Sequence, residues 1–405
     1  MSLLFCLAQV PHFSNRHSPK SRCFHIVAVR KDCYTKGCLR LKERELHYFA
    51  VGNTARGYYS LYDSNLAGLQ KLFILMGNSR NAKSALLHQL WQTLKEEDLH
   101  FQIIHSASNP DEIEGLIIEE LAMGIVDGRI PEVNQAKRHK IVERYIHVDE
   151  LCDCMLSIEQ KEELSQLTKQ ADIETVKAYE AFSQALRIHD EWEAIFIDNM
   201  DFEQANELAE ELMATLFNHQ SQLRKGKVYH RFLGAATPIG AIDFVPNLTN
   251  EIANRYFIKG RPGSGKSTML KKIMQQAEAR GFDVEVYHCG FDPHSLDMII
   301  VRELNFAIFD STAPHEYDPN REGDVIVDVY ERCIRSGTDD DYSLDIANVS
   351  KRYRAKMNEA TFHLAQAKIG QDRMEEVYLS AMNTKKLNDI NKQLLQLIQP
   401  LIVKQ

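Results

Sequence analysis

The stretch GRPGSGKST at 260–268 carries the spacing G-x-x-x-x-G-K-[ST], with Gly260, Gly265, Lys266 and Ser267 in the four positions. Residues of these types in this order bind a nucleoside triphosphate with magnesium. Several backbone N–H groups must converge on phosphate oxygens, so Gly260, Gly263 and Gly265 keep side chains out of the approach. Ser264 and Thr268 complete the binding stretch. A helix opening near Lys266 aims the positive end of its dipole at the same charge. Lys266 reaches the β- and γ-phosphates, and the Ser267 hydroxyl is a ligand for Mg²⁺.

A magnesium ion also needs an acidic partner. Asp310 follows the apolar run Phe306-Ala307-Ile308-Phe309, which places it at the carboxyl end of a buried strand. The catalytic candidates are therefore Lys266 and Asp310, and the metal candidates Ser267 and Asp310. The structural alternative is that Asp310 caps a turn with Ser311 and Thr312 behind it.

Elements of definite kinds must position these groups. Arg255 to Ile258 reads as a short buried strand entering the loop. Met269, Leu270, Ile273, Met274 and Ala277 form one apolar stripe on a helix, which Gly281 ends. Asp283 to Tyr287 alternates as a strand, 296–304 reads as a helix, and Phe306 to Phe309 as a buried strand. Strand, helix, strand, helix, strand predicts right-handed crossovers and a parallel sheet.

The chain is also a duplication. At a shift of 183, residues 47–131 align on 230–314 without a gap and with 17 identities in 85 positions. Gly77, Lys83 and Ser84 fall on Gly260, Lys266 and Ser267, and Asp127 falls on Asp310. At a shift of 182, Asp190 meets Asp372 and Met200 meets Met382. The charged, Gly- and Pro-poor stretches near 141–220 and 341–400 read as helical hairpins appended to each core. The fold expected is α/β: two tandem P-loop NTPase domains, each a parallel sheet with flanking helices and a helical hairpin. The divisions are a basic leader at 1–43, a first domain at 44–217, a linker at 218–229 and a second domain at 230–400.

The first copy departs from the pattern. GNSRNAKS at 77–84 keeps Gly77, Lys83 and Ser84, but Arg80 stands for Gly263 and Ala82 for Gly265. A Cβ at Ala82 crowds the phosphate approach, and a positive φ at Arg80 would be strained. Lys83 and Ser84 remain candidate nucleotide contacts at a degenerate site. Other repeated residues carry less. His105 and His288 end the second strand of each copy and could meet ligand or serve structure. Asp292 could act as a base or be a solvated loop acid. Glu120 and Glu303 read as surface charges on helices. Thr54 and Thr237 precede a turn or line a ligand. Arg56 and Arg80 could reach across the pseudo-dimer to stabilise charge.

Composition sets the outer bounds. The 405 residues are 44% apolar and 26% charged, with a net charge of −9. Residues 1–40 hold seven Lys or Arg against the single acid Asp32, so the body is acidic. That argues against a nucleic-acid partner. The leader reads as a disordered tail or a mis-assigned start. No apolar run spans a membrane and no secretory signal is visible, so the compartment expected is the cytoplasm. Eight cysteines show no zinc-ligand set and read as free thiols in a reducing compartment.

HRFLGAATPIGAIDFVPNLT, RYFIKGRPGSGKSTMLKKI, VEVYHCGFDPHSLDMIIVRELNFAIFDSTAPHEYDP and HYFAVGNTARGYYSLYDSN resemble a family of tandem P-loop ATP-binding proteins from Gram-positive spore-forming bacteria. The resemblance spans 44–400. It implies two ATPase-like domains and ATP binding at 260–268, and it adds no substrate. ATP over GTP rests on it, since no guanine-reading N-K-x-D is present. The function expected is slow Mg-dependent ATP hydrolysis at the second loop. The alternatives are a nucleotide kinase or other phosphotransferase, and a nucleotide-sensing scaffold built as an intramolecular pseudo-dimer. An additional protein partner is left unspecified.

Overall fold

The computed structural model describes residues 45–131, 133, 141–148 and 156–402; the leader lies outside them. The first copy contributes β1 (Glu45–Phe49), β2 (Val51–Thr54), β3 (Gly57–Ser60), β4 (Lys71–Met76), β5 (Phe101–Ser106), β6 (Asn109–Ile118), β7 (Met123–Asp127) and β8 (Val142–His147). The second contributes β9 (Val228–Phe232), β10 (Gly234–Thr237), β11 (Gly240–Asp243), β12 (Asn254–Lys259), β13 (Val284–His288), β14 (Leu296–Val301), β15 (Phe306–Asp310) and β16 (Asp324–Asp328). The longer helices are α1 (Arg80–Leu94), α2 (Ile158–Ile197), α3 (Phe202–Phe217), α4 (Lys266–Ala279), α5 (Ser343–Ser380) and α6 (Thr384–Ile402).

Twelve strands form one α/β sheet in the order β16-β12-β15-β14-β13-β9-β1-β5-β6-β7-β4-β8. Each half repeats the other in reverse. At the centre β1 meets β9 antiparallel, with Phe49 opposite its own counterpart Phe232. The flanking contacts obey the same two-fold relation. Asn247 Oδ1 accepts the His47 N–H at 2.8 Å, and its counterpart Ser64 Oγ accepts the His230 N–H at 2.8 Å. Joining β1 to β9 leaves neither half with an open edge in the middle of the sheet.

The sheet is mixed, which corrects the expectation of a parallel one. β12 lies between β15 and β16, parallel to both, and β4 lies likewise between β7 and β8. β14 and β6, however, run antiparallel to both their neighbours. Residues 296–304 are not a helix: they form β14 and one short 3₁₀ turn, Arg302–Leu304. All six residues of β14 are buried, so the segment has no alternation, and a short apolar run of that kind matches either element. An antiparallel return from β13 needs only the loop at 289–295 and no crossover helix.

One apolar core lies on one face of the whole sheet and joins Ile74 and Ile104 of the first copy to Phe257 and Ile300 of the second. The other face has two cores. Leu270 and Ile273 of α4 pack there with Leu208, Leu212 and Phe217 of α3. Leu86, Leu87 and Leu90 of α1 pack with Leu394 and Ile398 of α6. The two copies have thus exchanged their last helices: α3, from the first, covers the second, and α6 covers the first.

The helical hairpins expected in each copy are present as helices, and their long arms pair with each other. Glu163 meets Arg373, Glu174 meets His363 and Glu191 meets Arg352, so α2 and α5 run antiparallel. Ala171, Ala178 and Ala185 recur every seven residues on the buried face of α2, opposite Ala360, Ala367 and Gly370 on α5. These small side chains bring two helices of nearly 60 Å close along their length. A Cβ at Gly370 would lie 3.6 Å from the Ala171 Cβ. No described helix is long and apolar enough to cross a membrane.

Candidate active site

β12 delivers the chain into the glycine-rich loop, and α4 carries it away from Lys266. Gly263 and Gly265 have φ of 76° and 85°, a left-handed backbone that glycine adopts without strain. Gly260 serves a different need, since a Cβ there would sit 2.5 Å from Ser264 Oγ. Ser264 is buried, and its hydroxyl and Lys266 Nζ both donate to the Arg261 carbonyl, at 2.8 and 2.9 Å. The loop is thereby folded around its own lysine. Ser267 Oγ accepts the Leu296 N–H at 2.9 Å, which ties the first turn of α4 to β14. Thr268 is exposed on that turn.

Asp310 ends β15, directly beside β12. Its Oδ2 lies 3.6 Å from Lys266 Nζ. Its Oδ1 accepts the Thr312 N–H at 3.0 Å and the Thr312 hydroxyl at 2.6 Å. Turn cap and lysine partner are therefore the same carboxylate, one oxygen for each. The donor set that faces the loop, a serine hydroxyl and a carboxylate oxygen, is the hard-oxygen type that suits Mg²⁺.

Sequence reasoning missed Asp297, because it had placed β14 in a helix. Met298 pairs with Phe309, which sets Asp297 level with Asp310 on the adjoining strand. Burial raises the Asp297 carboxyl to about 6 against the opposing charge of His315, and Asp310 adds to the rise. Behind it His315 Nδ1 meets Asp243 Oδ2 at 2.8 Å, and Tyr317 donates to Asp243 Oδ1 at 2.6 Å. His315 Nε2 lies 4.0 Å from Asp297 Oδ2. Burial disfavours the charged imidazole, but the Asp243 hydrogen bond and the charges of Asp243, Asp297 and Asp310 together outweigh it and raise the His315 pKa.

The first copy also reaches this site, through the end of α2. His189, Asp190 and Glu193 bring donor atoms within 4.8 Å of one another. The Glu193 carboxylate faces the Gly263 N–H, and the Glu193 backbone lies so close that a Cβ on Gly263 would overlap its carbonyl. Burial and the Asp190 charge raise the Glu193 pKa. Burial and Lys266 lower that of His189. Arg56 crosses as the sequence suggested, but its Nε pairs with Asp292 Oδ1 at 2.9 Å.

The loop of the first copy is built differently. Arg80 has no positive φ; it opens α1 as a helical residue, so the strain expected there does not arise. The helix begins three residues earlier than the counterpart of Lys266, and the nest of loop amides is replaced by a helical turn capped by Ser79. Lys83 is buried, with Nζ 2.6 Å from Asp127 Oδ1. Burial lowers its pKa to about 8 against the pull of Asp127. Ser84 Oγ accepts the Ile113 N–H at 2.9 Å, repeating the Ser267 contact. Beside this loop lies a cavity of about 270 Å³, lined by Asn53, Glu114, Asp127, Arg129, Tyr179 and Gln371. Glu114 is the counterpart of Asp297, and burial pushes it up to about 8.

The other repeated residues hold structure. His47 and His105 meet at 2.8 Å, as do His230 and His288. Thr54 and Thr237 each donate to a glycine carbonyl three residues on and close a turn. Glu120 and Glu303 lie in turns, not in α-helices, and pair with His100 and Arg224. Of the cysteines in described segments, Cys289 and Cys333 are free. Scans against models of protein families, against curated proteins and against solved structures each found no match.

Proposed function

We propose that the chain is a P-loop NTPase of two tandem units that binds ATP with Mg²⁺ and hydrolyses it slowly at the second loop. The observation that carries this reading is the Gly263–Gly265 loop with Lys266 3.6 Å from Asp310 on the adjacent parallel strand. In this reading the loop amides, the start of α4 and Lys266 hold the phosphates. Ser267 and Asp310 hold the metal, which neutralises charge on the transferred group.

Asp297 is the residue placed to accept a proton from the attacking water. Its raised pKa suits a base near neutral pH, and the Asp243–His315 pair behind it orients the site. The first unit does not bind nucleotide, and the compartment is the cytoplasm. A steady-state assay with ATP and Mg²⁺, with and without a panel of nucleoside monophosphates, tests the reading. Phosphate release without an acceptor is expected, slowed about 100-fold or more in Asp297→Asn while ATP binding persists. ADP release only with an acceptor would mean a phosphotransferase, and binding without turnover a sensing scaffold.

A further inference from the structure

Glu193 and Glu375 occupy equivalent places, 182 residues apart, near the ends of the paired helices α2 and α5. Each crosses to the loop of the opposite copy. At the first loop the Glu375 carboxylate accepts from Ser79 Oγ at 2.7 Å, from the Arg80 N–H at 2.7 Å and from the Asn81 N–H at 3.2 Å. Arg80 Nε lies 3.5 Å away, and Glu375 is only 3% exposed. These donors, the first amides of a helix with a cap hydroxyl and a guanidinium, are the kind that take phosphate oxygens elsewhere. Here they take a carboxylate of the same chain. The loop has closed on it as a helical turn, with the Arg80 and Asn81 amides both donating to the carboxylate.

The second loop keeps its left-handed glycines and its open form. Glu193 stands over it, carboxylate toward the Gly263 N–H and backbone against the Gly263 Cα. Its side chain is 36% exposed against 4% for that of Glu375, and the ion-pair partner it meets is His189 Nδ1 of its own helix, at 3.6 Å, rather than a guanidinium of the loop. A phosphate entering the loop needs the same amide and carries the same sign of charge.

We propose that Glu193 is a displaceable stopper of the second loop, which nucleotide phosphate must expel. The proposal rests on the nucleotide reading above. Expulsion frees the end of α2 from the loop while α5 stays anchored at the first loop through Glu375. Nucleotide occupancy in one unit is thereby converted into a shift of the helix pair that joins the two.

The test measures MgATP affinity of full-length wild type, Glu193→Gln and Glu193→Ala by calorimetry. Hydrogen exchange is followed in the same samples. Removing the competing carboxylate is expected to tighten binding about 10-fold. MgATP added to wild type is expected to speed exchange near the end of α2 and to leave the Arg80 and Asn81 amides protected. Wild-type binding that neither variant improves, or exchange at the α2 end unmoved by MgATP, overturns the stopper and leaves the nucleotide reading standing. Failure of wild type and both variants alike to bind MgATP overturns both.

Discussion

Glu375 gives the sharpest stability prediction. Its carboxylate is buried, accepts three hydrogen bonds and faces the Arg80 guanidinium, which is itself 10% exposed. Glu375→Ala leaves that guanidinium and two helix-start amides without an anion. Breaking a buried pair by removing one partner costs about 3–5 kcal/mol. The lost amide contacts lie within that figure, because the cost is the desolvation of the groups left behind. Glu375→Gln keeps an acceptor and loses the charge, so about 1–2 kcal/mol is expected from the difference between charged and neutral hydrogen bonds. Urea denaturation read by circular dichroism measures both. Glu376→Ala is the control, an exposed neighbour paired with Arg373, and should leave the midpoint unchanged. A loss below about 1 kcal/mol for Glu375→Ala would refute the reasoning, because the buried groups would then be satisfied without the carboxylate.

Two further outcomes follow from the geometry. Gly263→Ala places a Cβ where φ is 76° and the Glu193 carbonyl is in the way. It should abolish MgATP binding in a dialysis assay and make the chain near residue 198 more sensitive to limited proteolysis; wild-type behaviour in both would count against the close approach of α2. Burial holds His105 at about 3 and His288 at about 4, below the ordinary value near 6.5. Both are neutral in folded and unfolded chains above that value, and below it only the unfolded chain gains the protons. These two histidines therefore cost stability as pH drops from about 6.5 toward 4, while the raised carboxyls of Glu114 and Asp297 work in the opposite direction, so the urea midpoint of the His105→Gln, His288→Gln variant should rise relative to wild type as pH falls. A midpoint difference between that variant and wild type that stays constant from pH 6.5 to 4.5 would contradict it.

Much of the second unit could be read along the chain because its signals are local. The loop, the stripe of α4, the end of β15 at Asp310 and the 183-residue repeat each depend on neighbours in sequence. What escaped depends on distant partners. β14 is buried on both faces, so it lost the alternation that marks a strand, and Asp297 was lost with it. β8 and β16 lie in or beside polar stretches and are strands only because β4 and β12 lend them a ladder. The exchange of α3 and α6 leaves no mark in periodicity, since either core accepts an apolar stripe. Glu193 and Glu375 lie among the many charges of two long helices, and nothing in their local sequence sets them apart. Their equal spacing from Asp190 and Asp372 was visible, and the loops they touch were not.

The central claim is that one loop of the two holds nucleotide. Equilibrium titration of MgATP against wild type, Lys266→Ala and Lys83→Ala, each with folding checked by circular dichroism, addresses it directly. One ATP per chain is predicted for wild type and for Lys83→Ala, and none for Lys266→Ala. Loss of binding in Lys83→Ala with retention in Lys266→Ala would contradict the account.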